Sequence, residues 1–239
     1  MRVRPGRLNT AIASLFIVGS ACFALGSVPD FADAVGGVAD GVIFFVGSIF
    51  FTTASFLQLV QVQTPGLTAV GSEGQRTRTP VRWWRRLPHD RNWCAAVTQF
   101  PGTLFFNVST LAALAHNASV REQDRHVWRP DIFGSTLFLV ASAFGILAVG
   151  TFWSWRPRSV PWWIAWLNMI GSLLFMSSAV TSFVLPSSGD VINLRVDVAG
   201  TLFGALFFLV GAVLMFPAWR RAVREADTAA AQAQSITKS

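Results

Sequence analysis

Charged residues are scarce in this chain: 13% of its 239 residues are Asp, Glu, Lys or Arg, whereas 52% are hydrophobic. So few charges cannot cover the surface of a soluble globule of this length, which excludes an ordinary water-soluble protein. Cysteine is scarce as well. Cys22 and Cys94 provide no disulfide framework, and we expect both to act as small buried hydrophobic residues.

Catalytic and metal-binding motifs are also missing from the sequence. It has no Ser/His/Asp order, no glycine-rich phosphate loop before a helix and no two histidines four residues apart. His89, His116 and His126 are scattered, which disfavours a metal or haem site. The net charge of +7 could suggest nucleic acid, but no basic helix or basic-aromatic sheet can be drawn within the apolar segments. We therefore expect no enzyme, no cofactor, no metal and no nucleic-acid partner.

Charge is absent altogether from six stretches of about twenty residues or more. These are Leu8–Val28, Gly41–Val62, Ala95–Ala115, Ile132–Trp153, Trp162–Leu185 and Val198–Trp219. A helix rises about 1.5 Å per residue, so about 20 apolar residues cross roughly 30 Å of hydrocarbon. Only a helix pairs all its backbone amides within one such segment. The sequence predicts an all-α bundle of six transmembrane helices.

Arginine placement predicts the orientation of this bundle. The N-terminus, the loop after the second span, the turn after the fourth span and the C-terminal tail hold 15 of the 19 basic residues. The positive-inside rule then places both termini in the cytoplasm. Most tryptophans fall at or near predicted span ends, where an indole is favoured. We expect a multi-pass protein of the bacterial cytoplasmic (inner) membrane.

Short motifs recur along the apolar stretches, so the bundle is predicted to contain three parallel repeats of a helical hairpin. The first helices align at Gly19, Ser109 and Ser178 and the second helices at Gly47, Ala141 and Gly211, while Asn9, Gln99 and Asn168 supply a matching polar residue. The predicted segments are a first hairpin at 1–62, a basic Trp/Arg-rich cytoplasmic loop at 63–93, a second hairpin at 94–155, a third at 156–219 and a flexible cytoplasmic tail at 220–239.

Small residues in these motifs are expected at helix contacts, because membrane helices associate where backbones approach closely. The predicted contact positions are Gly19, Gly47, Ser109, Ser178, Gly200, Gly204 and Gly211.

Hairpins with Leu-Phe-x-x-Gly-Ser (Leu15–Ser20) on the first helix and Phe-Phe-x-Gly-Ser (Phe44–Ser48) on the second resemble the YrhK-like family of small bacterial integral membrane proteins. The likeness is best over residues 8–62 and 161–219 and does not account for the loop or the tail. The resemblance implies a two-helix membrane unit, and it implies no established activity or catalytic residue.

The stretch with the clearest functional chemistry lies in the 63–93 loop. Its centre is Arg82-Trp83-Trp84-Arg85-Arg86, and cations interleaved with indoles suit the headgroups of an anionic leaflet or a protein partner. The alternative is that the loop is rich in arginine only because it faces the cytoplasm, as the positive-inside rule predicts.

Polar and acidic residues in or near the spans are few. Asn107 could contribute to a cavity or hydrogen-bond between helices. Asp40, Asp131 and Asp197 could form an acidic mouth that holds a cation, or could simply complement helix N-termini.

These features favour a non-enzymatic membrane protein that interacts with anionic lipids, with other membrane proteins or with a second copy, as an accessory subunit of a membrane assembly. The alternative is a transporter or channel for a small neutral or weakly polar solute, lined by Asn107, Gln99, Gln58 and serines. No ionisable residue is expected at membrane depth, which disfavours ion-coupled transport.

Overall fold

The computed structural model describes residues 1–68, 70–114 and 119–237, and these form an all-helical fold with one short two-stranded ribbon. The helices are α1 (Pro5–Gly26), α2 (Pro29–Val35), α3 (Gly37–Gln63), α4 (Ser72–Arg76), α5 (Arg91–Ala113), α6 (Val120–Glu122), α7 (Arg129–Val149), α8 (Val160–Thr181) and α9 (Leu194–Thr237). A π-helical segment, Gln123–Trp128, joins α6 to α7. The ribbon pairs β1 (Arg2–Val3) with β2 (Thr79–Pro80) in antiparallel register, and it ties the N-terminus to the 63–93 loop.

Five helices in the described residues are long and apolar enough to cross a membrane. They are Pro5–Gly26, Gly37–Gln63, Val120–Val149, Val160–Thr181 and Leu194–Ser235. Many apolar side chains on the outer faces of the bundle remain exposed, such as Leu111, Phe133 and Leu173, each more than half exposed. An apolar outer surface on helices of spanning length is the arrangement that a bilayer requires.

The sixth long helix, α5, differs from the other five. Its 23 residues are sufficient in length, but it is not among the five apolar helices because Gln99, Pro101 and Asn107 lower its hydropathy. Ala115, the last residue of the predicted third span, lies outside the described residues.

Helix ends follow local sequence rules. Proline occupies the first position of α1 at Pro5, where its missing N–H costs nothing. The Asp90 carboxylate accepts hydrogen bonds from the backbone N–H groups of Asn92 and Trp93 and so caps α5. Gly36 separates α2 from α3 with φ of +80°, a conformation that favours glycine. These signals begin and end the helices near the predicted boundaries.

The C-terminal region is helical over most of the predicted tail. Helix α9 continues without a break from Leu194 to Thr237, well past the predicted span end at Trp219. Asp227 on this extension accepts hydrogen bonds from the backbone N–H and the hydroxyl of Ser72, at 2.6 and 2.5 Å. The extension therefore contacts the start of α4 in the 63–93 loop, a tertiary contact that the polar composition of the tail does not reveal.

The six long helices form a closed ring. Each packs along two neighbours in the cyclic order α1, α3, α5, α7, α8, α9 and back to α1. Consecutive pairs α1–α3, α5–α7 and α8–α9 are hairpins. The core lies on the axis of this ring, and every long helix contributes at least one buried phenylalanine to it.

Close glycine contacts hold each hairpin together. In each, a glycine of the first helix lies against a glycine of the second, and a Cβ added at either would come within 3.0–3.3 Å of the partner's carbonyl oxygen. The pairs are Gly19–Gly47, Gly102–Gly134 and Gly171–Gly204. Backbones this close permit many dispersion contacts, which is what drives helix association in lipid.

This contact register corrects the predicted alignment of the hairpins. Gly102 and Gly171, and not Ser109 and Ser178, make the contact equivalent to that of Gly19. The difference is seven residues, or about two helical turns. A shift of two turns keeps the same helix face toward the partner, so short apolar motifs cannot distinguish the two alignments.

Candidate functional site

Six phenylalanines, one from each long helix, pack together at the centre of the ring. They are Phe23, Phe51, Phe106, Phe138, Phe175 and Phe208, and all are buried. Neighbouring ring centroids are 5.1–6.4 Å apart, and most pairs meet edge to face. This is the favoured geometry for aromatic pairs. We call this group the phenylalanine cluster.

The phenylalanine cluster has two layers because of the spacing between each phenylalanine and the contact glycine of its helix. Each phenylalanine follows its contact glycine by four residues, as Phe23 follows Gly19 and Phe51 follows Gly47. Helices of a hairpin run in opposite directions, so the two phenylalanines lie about one turn to either side of the glycine contact. The layer from the second helices consists of Phe51, Phe138 and Phe208, which contact one another.

A cavity of about 350 Å³ lies against this second layer, at the end of the bundle that carries the N-terminus. Its wall comes from the first halves of α1, α5 and α8 and from the later parts of α3, α7 and α9. The polar residues in its lining are Asn9, Gln58, Asn92, Gln99, Ser142 and Asn168; among the apolar ones are Phe16, Phe51, Ala141, Gly145, Phe208 and Met215. Asn92 and Pro161 are exposed and also belong to the lining, so the cavity reaches the surface at this end.

The carboxamides of the lining make no hydrogen bonds to other described residues. Asn9 is buried and Gln58 is half-buried, and the Gln58 Oε1 atom is inaccessible and has no partner in the described part of the chain. An amide group both donates and accepts, and leaving it unpaired away from water is costly. Among the described residues, no Asp, Glu, Lys, Arg or His lies in the lining. The cavity is therefore uncharged and rich in unused hydrogen-bonding groups.

Asn107 lies outside this cavity, which corrects its prediction as a cavity group. Its carboxamide contacts the Thr52 hydroxyl of α3 at 3.0 Å. With the amide nitrogen turned toward α3, it also donates to Ser48 Oγ at 2.9 Å. Asn107 therefore makes interhelical hydrogen bonds, which is the role that the sequence favoured for it.

The basic-aromatic segment Arg82–Arg86 is exposed along its length. Its backbone is nevertheless held against the end of α3, because the Gln63 side-chain amide donates to the carbonyl oxygens of Arg82 and Trp83, at 3.1 and 2.6 Å. The Trp83 ring stacks on Phe56, while 69% of Trp84 is exposed. The backbone of this segment is therefore anchored to α3, while its arginine and tryptophan side chains remain exposed.

Two further tryptophans are exposed at the same end of the bundle. Trp153 and Trp155, in the turn between α7 and α8, are 95% and 75% exposed. Arg156 and Arg158 follow them directly and are also exposed. We call these residues together with Arg82–Arg86 the Arg/Trp belt.

The other predicted packing residues lie at helix contacts. A Cβ added at Gly200 would lie 2.7 Å from the Leu174 carbonyl oxygen, and one at Gly211 would lie 3.2 Å from Asn168 Oδ1. Gly204 contacts Phe175 of α8 as well as Gly171. Two serines donate hydrogen bonds between elements: Ser109 to the Val127 carbonyl oxygen at 2.8 Å, and Ser178 to Asp197 Oδ1 at 2.6 Å.

The three aspartates of the supposed acidic mouth do not assemble into one site. Asp40 lies beside Gly26 on the first hairpin. Asp197, on the third hairpin, accepts a hydrogen bond from Ser178 and is near enough to Asp131 for the two carboxyl groups to interact electrostatically. Within the described ranges, no group of three or more His, Cys, Asp or Glu residues could hold a metal ion. His116, one of the scattered histidines, lies outside those ranges.

One sequence signal for this site was overlooked. Every long helix contains one copy of the pattern Gly-small-x-x-Phe, in which a small residue follows the glycine and a phenylalanine stands four residues after it. The six copies begin at Gly19, Gly47, Gly102, Gly134, Gly171 and Gly204. Asn9 and Asn92 both stand ten residues before their contact glycine and both line the cavity. This pattern predicts which phenylalanines form the core, and it predicts that Asn9 and Asn92 occupy equivalent positions in their hairpins.

Comparison with known proteins adds no family to this description. No family model matches the chain, and no match was found among curated proteins or solved structures.

Proposed function

We propose that the protein is a six-span component of the bacterial inner membrane, with both termini in the cytoplasm. The position of α5 in the ring supports a sixth span, because α5 packs along α3 and α7, both of which are apolar enough to cross. The polar residues Gln99 and Asn107 of α5 face the cavity and α3, so they need not contact lipid. The excess of basic residues at the end with the N-terminus supports the orientation.

We propose that its function is non-enzymatic and works through contact with anionic lipids, as an accessory subunit of a membrane assembly. The exposed Arg/Trp belt carries this proposal. Each basic residue near an anionic surface contributes about 1 kcal/mol, and indoles are favoured at the headgroup boundary. The anchored backbone of Arg82 and Trp83 presents these groups without an ordering cost at the moment of contact. Membership of the YrhK-like family is part of this proposal, and a two-helix membrane unit is compatible with the role.

The test is native mass spectrometry of the full chain released from nanodiscs that contain phosphatidylcholine with or without phosphatidylglycerol. We expect retained phosphatidylglycerol with the wild type and clearly less with Arg85→Gln/Arg86→Gln. The matched control is Arg121→Gln/Arg125→Gln, which removes two exposed arginines from the opposite end. Equal retention by all three proteins would contradict the lipid role of the belt.

A second candidate is transport of a small neutral solute, and the uncharged cavity is the observation that favours it. The phenylalanine cluster separates this cavity from the opposite end of the bundle in the described residues, so an open channel is not supported. Transport would require this cluster to part. Uptake of a neutral solute by proteoliposomes, absent from empty liposomes, is the measurement that would establish it.

A further inference from the structure

The cavity beneath the phenylalanine cluster has the attributes of a binding site. Its volume of about 350 Å³ is within the range of small-molecule sites in proteins. Five carboxamides converge on it from four of the six long helices: Asn9, Gln58, Asn92, Gln99 and Asn168. Side chains brought together from separate helices make a site that exists only in the folded ring.

These carboxamides have no structural task within the described residues. Asn107 shows what a structural carboxamide does in this bundle: it hydrogen-bonds Thr52 across a helix contact. Asn9, Gln58, Gln99 and Asn168 line the cavity and make no such side-chain bond to another described residue. The cavity reaches the surface, so water or a ligand can pair with these amide groups, and a ligand that matches several of them at once would replace that water.

We infer that this cavity binds a small uncharged polar molecule that presents both hydrogen-bond donors and acceptors, such as an amide or a polyol. Carboxamides pair with donors and acceptors alike, which suits such a molecule. No charged side chain from the described part of the chain lines the cavity, so an ion would lose its hydration without gaining a counter-charge. The triangle of Phe51, Phe138 and Phe208 forms an apolar floor that suits the carbon skeleton of the ligand.

This inference goes beyond lipid contact at the Arg/Trp belt, and it stands whether or not the molecule is carried across the membrane. Binding requires only the cavity as described. Transport additionally requires movement of the phenylalanine cluster.

The test is saturation-transfer NMR on the purified full chain, with acetamide and myo-inositol as uncharged probes and acetate and methylammonium as charged ones. We expect transfer to the uncharged probes and little to the charged ones. Replacing two carboxamides by similarly sized apolar residues, Gln58→Leu/Asn168→Leu, should weaken the affinity for uncharged probes by about tenfold. Gln232→Leu, which removes an exposed carboxamide of α9, is the control and should change nothing.

A second variant separates loss of binding from loss of folding. Gly145 lines the cavity, and a Cβ added there would meet nothing within 4 Å. Gly145→Leu should therefore fold normally while filling the cavity and lowering probe binding. Three outcomes would each overturn the inference: no transfer from the wild type to either uncharged probe, equal transfer to acetate, or binding that neither Gln58→Leu/Asn168→Leu nor Gly145→Leu reduces.

Discussion

At the scale of single residues, two kinds of carboxamide share this bundle. Asn107 is paired across the contact between α3 and α5, while Gln58 and Asn168 face the cavity without partners. The sequence shows all of them as polar residues in apolar helices, and only their neighbours separate a structural role from a binding role. Whether a polar residue of a membrane helix is paired is therefore the informative observation.

This difference predicts the effect of removing each amide. Asn107→Leu should lower the free energy of unfolding by about 1–2 kcal/mol, because it leaves the Thr52 hydroxyl without its partner across the helix contact. Asn92→Leu, at an exposed carboxamide with no such bond, should change it by less than about 0.5 kcal/mol. Denaturant unfolding in mixed micelles measures both, and equal losses would show that the bond to α3 contributes nothing.

At the scale of helices, the glycine contacts set how closely each hairpin packs. Gly102 illustrates the geometry: a Cβ there would lie 3.0 Å from Phe138 and 3.3 Å from the Gly134 carbonyl oxygen. Phe106, one turn further on, then fills the space beside the contact and joins the phenylalanine cluster. The glycine and the phenylalanine act together, because the glycine lets the two helices come close enough for the phenylalanines to contact one another.

A larger side chain at such a contact should force the helices apart. We expect Gly102→Leu to destabilise the protein by about 1–3 kcal/mol through overpacking. Gly145→Leu is the matched control on α7, since that glycine has no neighbour within 4 Å of an added Cβ. Thermal unfolding of both variants tests the contact register, and a Gly145→Leu variant as damaged as Gly102→Leu would argue against it.

At the scale of the whole molecule, the two ends of the helical ring differ, because the end with the N-terminus is rich in arginine and tryptophan and the opposite end is not. The cavity reaches the surface at the basic end, and the phenylalanine cluster separates it from the opposite end in the described residues. Both proposed contacts, with lipid headgroups and with a small uncharged molecule, therefore belong to the same side of the membrane.

The basic end should face the cytoplasm. Because 15 of the 19 basic residues lie there, a reporter fused after Ser239 should behave as cytoplasmic, and one inserted near Ser187 as external. Alkaline phosphatase and green fluorescent protein fusions at both sites read the two compartments separately. Phosphatase activity at the C-terminal fusion, or fluorescence at the Ser187 insertion, would reverse the orientation.

Much of the architecture could be read from the sequence because a bilayer imposes it locally. Long uncharged runs predict helices of spanning length, and the helices occur where those runs are. The exception is α5, in which Gln99, Pro101 and Asn107 weaken the signal. Gln99 lines the cavity and Asn107 bonds Thr52 of α3, so these two polar side chains face the bundle while Leu111 faces outward. The contact of Asp227 on the C-terminal helical extension with Ser72 could not be read from the sequence, because the two residues are far apart in the chain.

The amino-acid sequence by itself determined the helices, their small contact residues and the asymmetry of basic charge, since each depends on solvent and on neighbours along the chain. Only the tertiary structure decided the register of the hairpins, the phenylalanine cluster and the cavity. A shift of seven residues leaves the helix face unchanged, so the register depends on which glycine meets which across the contact. The cavity likewise depends on six helices closing into one ring, because its carboxamides come together only when α1 packs against α9.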